Sequence, residues 1–341
     1  MRSTIVGMTS LTEQLPYVYA FPDALGTGLL VHTESVLDDE IRDRIGSFIH
    51  EYEVVLSRFR DDSIVGRMRT AAHGGTFDFP DWASGLFGLY DRLLAATDGA
   101  IDPCVGEDLI RLGYDESYSF TPAPDAAEHA GAIHERAIWS ADVERHGTTL
   151  VTRGPVALDF GACGKGYLVD LLAGMLGDGA GHPQPIQYVI DAGGDLLVHT
   201  DEPITIALED PADPANAVGT VEISHGAFCA SSPSRRHWSD AAGHQLHHLL
   251  NAIDGLPVDD VAATWVAGVV NRAVARPSAS VTGTCAATVF DESSVSRFAV
   301  VEALLPCVDV FVVMALDGGV TATHVAATSS TGSPSMALSR W

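Results

Sequence analysis

An α+β fold is predicted from three observations. Three amphipathic helical stripes and six β-type runs alternate along the chain without a regular βαβ rhythm. Hydrophobic residues make up 46% and charged residues 19%, the balance of a folded globular protein. At 341 residues the chain suits one large domain or two modest ones, with ample length to bury a core. In chain order, Leu29–Val31 reads as a strand. Between Asp38 and Phe59, apolar residues recur at Ile41, Ile45, Phe48, Ile49, Tyr52, Val55 and Leu56, one face of a helix with acidic residues in its first turn. A second helix is predicted from about Trp82 to Ala96 through Leu86, Leu89, Tyr90 and Leu93, stopped by Asp98-Gly99. Ile101-Asp102-Pro103 follows as a turn or short strand. A third helix is expected to start near Lys165 and carry Leu168, Leu171, Leu172, Met175 and Leu176. Strands are expected at Tyr188–Ile190, Leu196–His199, Ile204–Leu208, Val221–Ile223 and Val310–Met314, with surface loops at 121–130, 210–217 and 271–281.

Charge narrows the function classes. With 45 Asp and Glu against 19 Lys and Arg, the net charge is −26, which repels nucleic acid and anionic lipid surfaces. The first twenty residues hold Glu13 and Pro16 and no long apolar core, so they do not read as a secretory signal, and no run reads as a bilayer span. Cys104, Cys163, Cys229, Cys285 and Cys307 are odd in number and lack metal spacing, which fits reduced thiols in a cytoplasmic setting.

Three segments have the composition of a binding site. Asp159-Phe160-Gly161-Ala162-Cys163-Gly164-Lys165-Gly166 puts small residues and an ammonium before a helix, a pattern suited to phosphate. It is not a Walker A loop, and a glycine-rich turn packed beneath a helix explains it equally well. Tyr188 to Leu196 runs a strand into Asp191-Ala192-Gly193-Gly194-Asp195, which reads first as a hairpin and second as a surface for a flat ring with carboxylates beside it. Ser231, Ser232, Arg235 and Arg236 offer hydroxyls and guanidinium groups to phosphate oxygens. Of His247 and His248, alternating in a strand, at most one reaches a given site.

The order of these segments resembles the ApbE family of flavin transferases. Ala24-Leu25-Gly26-Thr27 is similar to its Met-Gly-Thr strand start, and Ser57 to Ser63 to its S-x-Y-x-x-x-S segment. Thr97 to Pro103 looks like T-D-G-A-F-D-P, and Asp159 to Asp170 like D-L-G-G-I-A-K-G-Y-A-V-D. Asp191 to Asp195 matches N-A-G-G-D, Ala230 to Trp238 the A-T-S segment with paired arginines, and His247 to Pro257 the H-H-x-I-D-P segment. The resemblance implies a T-fold-like β core with flanking helices over residues 21–325, with two sub-lobes joined near 150 as an option and tails at 1–20 and 326–341. It further implies transfer of FMN from FAD to a Thr or Ser of a flavin-acceptor protein, assisted by Mg2+. Residues implied at the FAD site are Gly26, Thr27, Asp159, Gly161, Gly164, Lys165, Gly166, Asp170, Asp191, Gly193, Gly194, Asp195, Ser231, Arg235 and His248. Lys165 and His248 are the implied catalytic groups, and the Gly164 carbonyl the implied metal ligand. The family's late metal carboxylate falls on Gly283 in one register and Phe298 in another, with Asp291, Glu292 and Glu302 nearby. Asn251 stands where the family has an acid, and Asp191 where it has Asn. Those departures leave a non-catalytic flavin-binding homologue, or a repurposed pocket, as the alternative.

Overall fold

A computed structural model describes residues 10–177, 186–258, 261–269, 309–316, 319–326 and 337–340. The late metal-carboxylate candidates and the 271–281 loop lie outside the described residues.

The architecture is one large antiparallel sheet with helices against it. Its strands are β1 (Tyr17–Phe21), β2 (Leu29–Thr33), β3 (Tyr188–Asp191), β4 (Asp195–Glu209), β5 (Ala217–Ser231), β6 (Val261–Val269), β7 (Asp309–Leu316), β8 (Gly319–Ala326) and β9 (Ala337–Arg340). Among the described residues these nine pair in sequence order, each antiparallel to the next. Residues 17–20 and 337–340, at the two ends of the described sheet, are strands, because a sheet edge binds its neighbour through backbone groups that short segments still supply.

Helices enter between β2 and β3: α1 (Asp39–Leu56), α2 (Ile64–Thr70), α3 (Ala83–Ala96), α4 (Gly106–Arg111) and α5 (Gly161–Leu176). A small sheet of Gly75–Asp78, Val143–His146 and Thr149–Thr152 lies in the same insertion. The stripes of α1, α3 and α5 bury Ile45, Leu86, Leu168 and Leu172 in one core with Val31, Ile190 and Leu197 of the sheet. On the opposite face Val189, Val198, Ile223, Phe228 and Trp265 form a second core. Neighbours Val189 and Ile190 thus point into different cores, as strand geometry requires. That two-sided burial is why Tyr188–Ile190 is an unbroken apolar run.

The predicted strands 196–199 and 204–208 are one, β4. Its ladder shifts register between His199 and Ile204, and Pro203 falls inside that irregularity, where its missing N–H costs no ladder bond.

Several of the distinctive sequence segments turn out to build the frame. Ser63 caps α2 by accepting from the Gly66 amide at 2.8 Å, and its hydroxyl donates to the Ser57 carbonyl at 2.7 Å. Thr97 donates to the Leu93 carbonyl and accepts from the Ile101 amide, closing the turn after α3. Asp102 accepts from the Cys104 and Trp139 amides at 2.8 and 3.1 Å. A buried ion pair, Arg136 to Asp108 at 2.7 Å, ties α4 to the 131–137 segment, and Arg136 also donates to the Ala252 carbonyl.

Candidate functional site

A cleft of about 1250 Å³ is lined by the amino end of α5, the β3–β4 turn, the Ala24–Thr27 turn, the carboxyl end of β5 and the His248–Ala252 loop. Of the residues singled out from the sequence, Gly26, Thr27, Asp159, Gly161, Gly164, Lys165, Asp191, Gly193, Gly194, Ser231, Arg235 and His248 line it together.

The β3–β4 turn is shaped by one carboxylate and two glycines. Asp191 accepts from the Gly193 amide at 2.8 Å and the Gly194 amide at 3.3 Å. Gly193 sits at φ +73° and Gly194 at φ +110°, and a Cβ on Gly193 would lie 3.2 Å from the Thr27 hydroxyl oxygen. Both the backbone angle and the close approach of Thr27 therefore require glycine there.

At α5 the structure corrects the sequence reading twice. The helix starts at Gly161, a full turn before Lys165. Three amides of its first turn are also taken by the protein itself: Asp159 accepts from the Gly161 amide at 2.6 Å, and the Cys163 and Gly164 amides bond the Phe160 carbonyl. The protein's own carboxylate thus meets the positive end of the helix. Asp159 is in turn held at 2.5 Å by Arg58, a residue the sequence reading did not select. Arg58 donates to the Tyr114 carbonyl at 2.7 Å and lies over the Phe59 and Tyr114 rings. Its remaining Nη2 is buried without a partner among the described residues.

The positive charge open to the cleft comes from side chains. Lys165 reaches in from the second turn of α5, with its ammonium 3.2 Å from Asp195. Asp195 raises the Lys165 pKa above its ordinary value, so the lysine stays charged. Arg236 lines the cleft and donates to the Tyr114 hydroxyl at 2.7 Å. Its neighbour Arg235 pairs with Glu209 at the rim with 77% of its side chain exposed. His248 lies within electrostatic reach of Arg236 and Lys165 and bonds to the Arg236 backbone, while its Nδ1 has no partner among the described residues. Burial, then Arg236 and Lys165, push its pKa down to about 4, so the imidazole is neutral across the physiological range. His247 is buried, on a strand paired with His237.

Three expected residues do not line the cleft. Gly166 is buried in α5, Asp170 lies a turn further along that helix within electrostatic reach of Tyr52 and Tyr188, and Asp195 acts through Lys165. Asn251 closes the Asn251–Gly255 turn by accepting from the Ile253 amide at 3.0 Å.

Among the described residues, few groups are placed to hold a metal. The Gly164 carbonyl accepts a 2.8 Å hydrogen bond from Tyr52, a buried tyrosine whose pKa burial drives well above its ordinary value. No group of three His, Cys, Asp or Glu side chains able to hold a metal occurs among the described residues. Nor, among them, is any helix long and apolar enough to cross a membrane.

The chain is similar to a Klebsiella pneumoniae protein named FAD:protein FMN transferase, 23% identical over 228 residues. That match covers 64% of each chain, so this chain spans just under two thirds of the length of the curated relatives it matches. Among solved structures, flavin transferase ApbE from Vibrio cholerae superposes with a TM-score of 0.68 at 19% identity, over 90% of this chain and 96% of that one. The ApbE protein of Thermotoga maritima gives 0.67 at 18% identity, over 89% and 96%. At those identities the superpositions speak for the fold, an α+β ApbE fold. The ApbE family model matches residues 25–282, more than half of the sequence, and the chain belongs to the ApbE family.

Proposed function

We propose that this protein transfers the FMN moiety of FAD to a Thr or Ser hydroxyl of an acceptor protein and releases AMP. The observation that carries the reading is one cleft that joins a glycine turn with two cations and a neutral imidazole. It has room for a dinucleotide, and the names of the curated relatives supply the reaction class. Lys165 and Arg236 would meet the pyrophosphate charge, Gly193 and Gly194 would let a ring or sugar approach the backbone, and Arg58 Nη2 has a donor to give.

In the proposed reaction the acceptor hydroxyl oxygen bonds to the FMN-side phosphorus. The bridging P–O bond breaks, and AMP leaves with that oxygen and its electron pair. A neutral His248 can take the hydroxyl proton as the new bond forms, which an imidazolium cannot do. The charge that develops on the phosphoryl oxygens is stabilised by the fixed cations beside it.

Mg2+ belongs to the family pattern, but the described residues do not fit it, since the Gly164 carbonyl is engaged by Tyr52 and no acidic cluster faces it. No step is therefore routed through a metal. The same observation favours a second reading, a protein that binds FAD without transferring it. Cys104, Cys163 and Cys229 are buried and form no disulfide among the described residues, which suits a reducing, cytoplasmic setting for either.

Incubating the protein with FAD, with and without Mg2+, and with an acceptor domain decides between them. Flavin fluorescence that survives on the acceptor in a denaturing gel supports transfer. Bound FAD with no labelled acceptor in either condition leaves the binding reading alone.

A further inference from the structure

The loop after α4 carries an aromatic arrangement that the proposed chemistry does not use. Tyr118 and Phe120 are both non-glycine residues in the left-handed region, at φ +53° and +47°. Such angles are costly for residues with a Cβ and persist only where surrounding bonds enforce them. Here those bonds exist. Asp115 accepts from the Ser117 amide and hydroxyl at 2.9 and 2.8 Å and from the Ser119 amide at 3.0 Å. Against the desolvation it suffers, these serine contacts hold its carboxyl down to about 2. The Phe120 amide donates to the Gly113 carbonyl at 2.8 Å.

The fixed backbone aims the Tyr118 ring onto Phe59. The two rings are parallel within 8° with centroids 5.1 Å apart. Both residues line the cleft, and the Phe59 ring is also met by the Arg58 guanidinium, 4.1 Å from its centroid, and edge-on by Tyr114 at 5.5 Å. At its far end the Tyr118 hydroxyl approaches Gly26, on the other wall of the cleft, where an added Cβ would lie 3.7 Å away. Tyr118 therefore crosses the cleft from Phe59 to the Ala24–Gly26 turn. Almost half of its surface stays exposed, and its further ring contacts, edge-on to Tyr114 at 5.7 Å and tilted to Phe120 at 6.1 Å, are looser than the stack on Phe59, so the side chain can swing.

We infer that Tyr118 is a gate. Its ring covers the face of Phe59 on which a planar ring of the bound dinucleotide stacks, and ligand entry requires Tyr118 to rotate away. This rests on the cleft being the FAD site. An aromatic contact made by the protein with itself competes with the same contact made to ligand, so removing the competitor tightens binding. The worth of one aromatic pair sets the expected gain at about two- to tenfold.

The test is calorimetric titration of the wild-type protein, Tyr118→Ala and Tyr118→Phe with FAD, FMN and AMP, with thermal melts to verify folding. Tyr118→Ala is expected to bind FAD about two- to tenfold tighter, and Tyr118→Phe to match wild type because it keeps the ring. A gain shared by FMN and absent with AMP assigns the flavin ring to Phe59, and the converse assigns adenine. Weaker or unchanged FAD binding by a folded Tyr118→Ala overturns the gate. Failure of all three proteins to bind any of the nucleotides would instead overturn the FAD reading on which it rests.

Discussion

Replacing Lys165 by Ala removes an ammonium that sits 3.2 Å from Asp195 and faces the cleft. A charge-assisted hydrogen bond to phosphate contributes about 1.5–3 kcal/mol. Asp195 already neutralises part of this cation and almost a third of the lysine side chain is exposed, so the lower end applies. About 1.5–2 kcal/mol corresponds to FAD affinity weakened roughly 10- to 30-fold. Titrations of FAD and of phosphate-free riboflavin into wild type and Lys165→Ala separate the charge effect from loss of shape. Only FAD should weaken, and the difference should shrink as salt is raised. Asp195→Asn supplies the opposite sign, because it releases the ammonium and should leave FAD binding equal or tighter. Equal loss of riboflavin and FAD in Lys165→Ala, or loss in Asp195→Asn matching it, would mean that the pair only holds the fold and that phosphate lies elsewhere.

Other outcomes follow from the same geometry. His248→Ala should slow FMN transfer about 100-fold or more with FAD affinity nearly unchanged, read from single-turnover labelling. With a folded pKa near 4 against an ordinary 6.5, His248 stays unprotonated in the fold where the unfolded chain binds a proton. Its contribution to stability is therefore complete above pH 6.5 and is lost as pH falls towards 4, a slope that denaturant melts of His248→Ala should lack. Arg136→Met strands Asp108, which burial already raises to about 6 against Arg136, and should cost about 3–5 kcal/mol of unfolding free energy. Asp108 has the opposite pH sign in wild type, its share of stability falling as pH rises from about 4 to 6. Gly193→Ala meets a φ of +73° and the Thr27 hydroxyl at 3.2 Å, and should destabilise by about 1–2 kcal/mol while displacing Thr27 from the cleft wall.

Local patterns revealed the frame wherever a face is uniformly buried. The stripe Ile41, Ile45, Ile49 and Tyr52 marks α1 because one side of that helix meets the sheet and the other meets water. The ends of elements were harder to read, since they depend on which group takes the terminal hydrogen bonds. Asp159 takes the Gly161 amide, so α5 begins there and Lys165 enters the cleft from its second turn. The two strands predicted at 196–199 and 204–208 join because Pro203 is tolerated in β4 at a register shift.

For the site, the collinear segments pointed to Asp191, Gly193, Lys165 and His248, which do converge. Arg58, Tyr52 and Tyr118 were not legible as members. Their places depend on partners more than fifty residues away, among them the bond of Arg58 to Asp159. Arg58 could have been suspected, being an arginine flanked by aromatic and hydroxyl residues within Ser57–Ser63. Tyr118 carried no such signal, because its orientation comes from a positive φ that sequence does not announce.

A single-turnover mass balance bears most directly on the transfer reaction. The protein is mixed with a limiting amount of FAD and excess acceptor domain, the reaction is quenched, and AMP and acceptor-bound FMN are quantified together. Equal amounts of AMP and covalent FMN, both formed about 100-fold or more slowly in His248→Ala, are expected. Intact FAD, or AMP accompanied only by free FMN, would contradict transfer to a protein hydroxyl in this cleft.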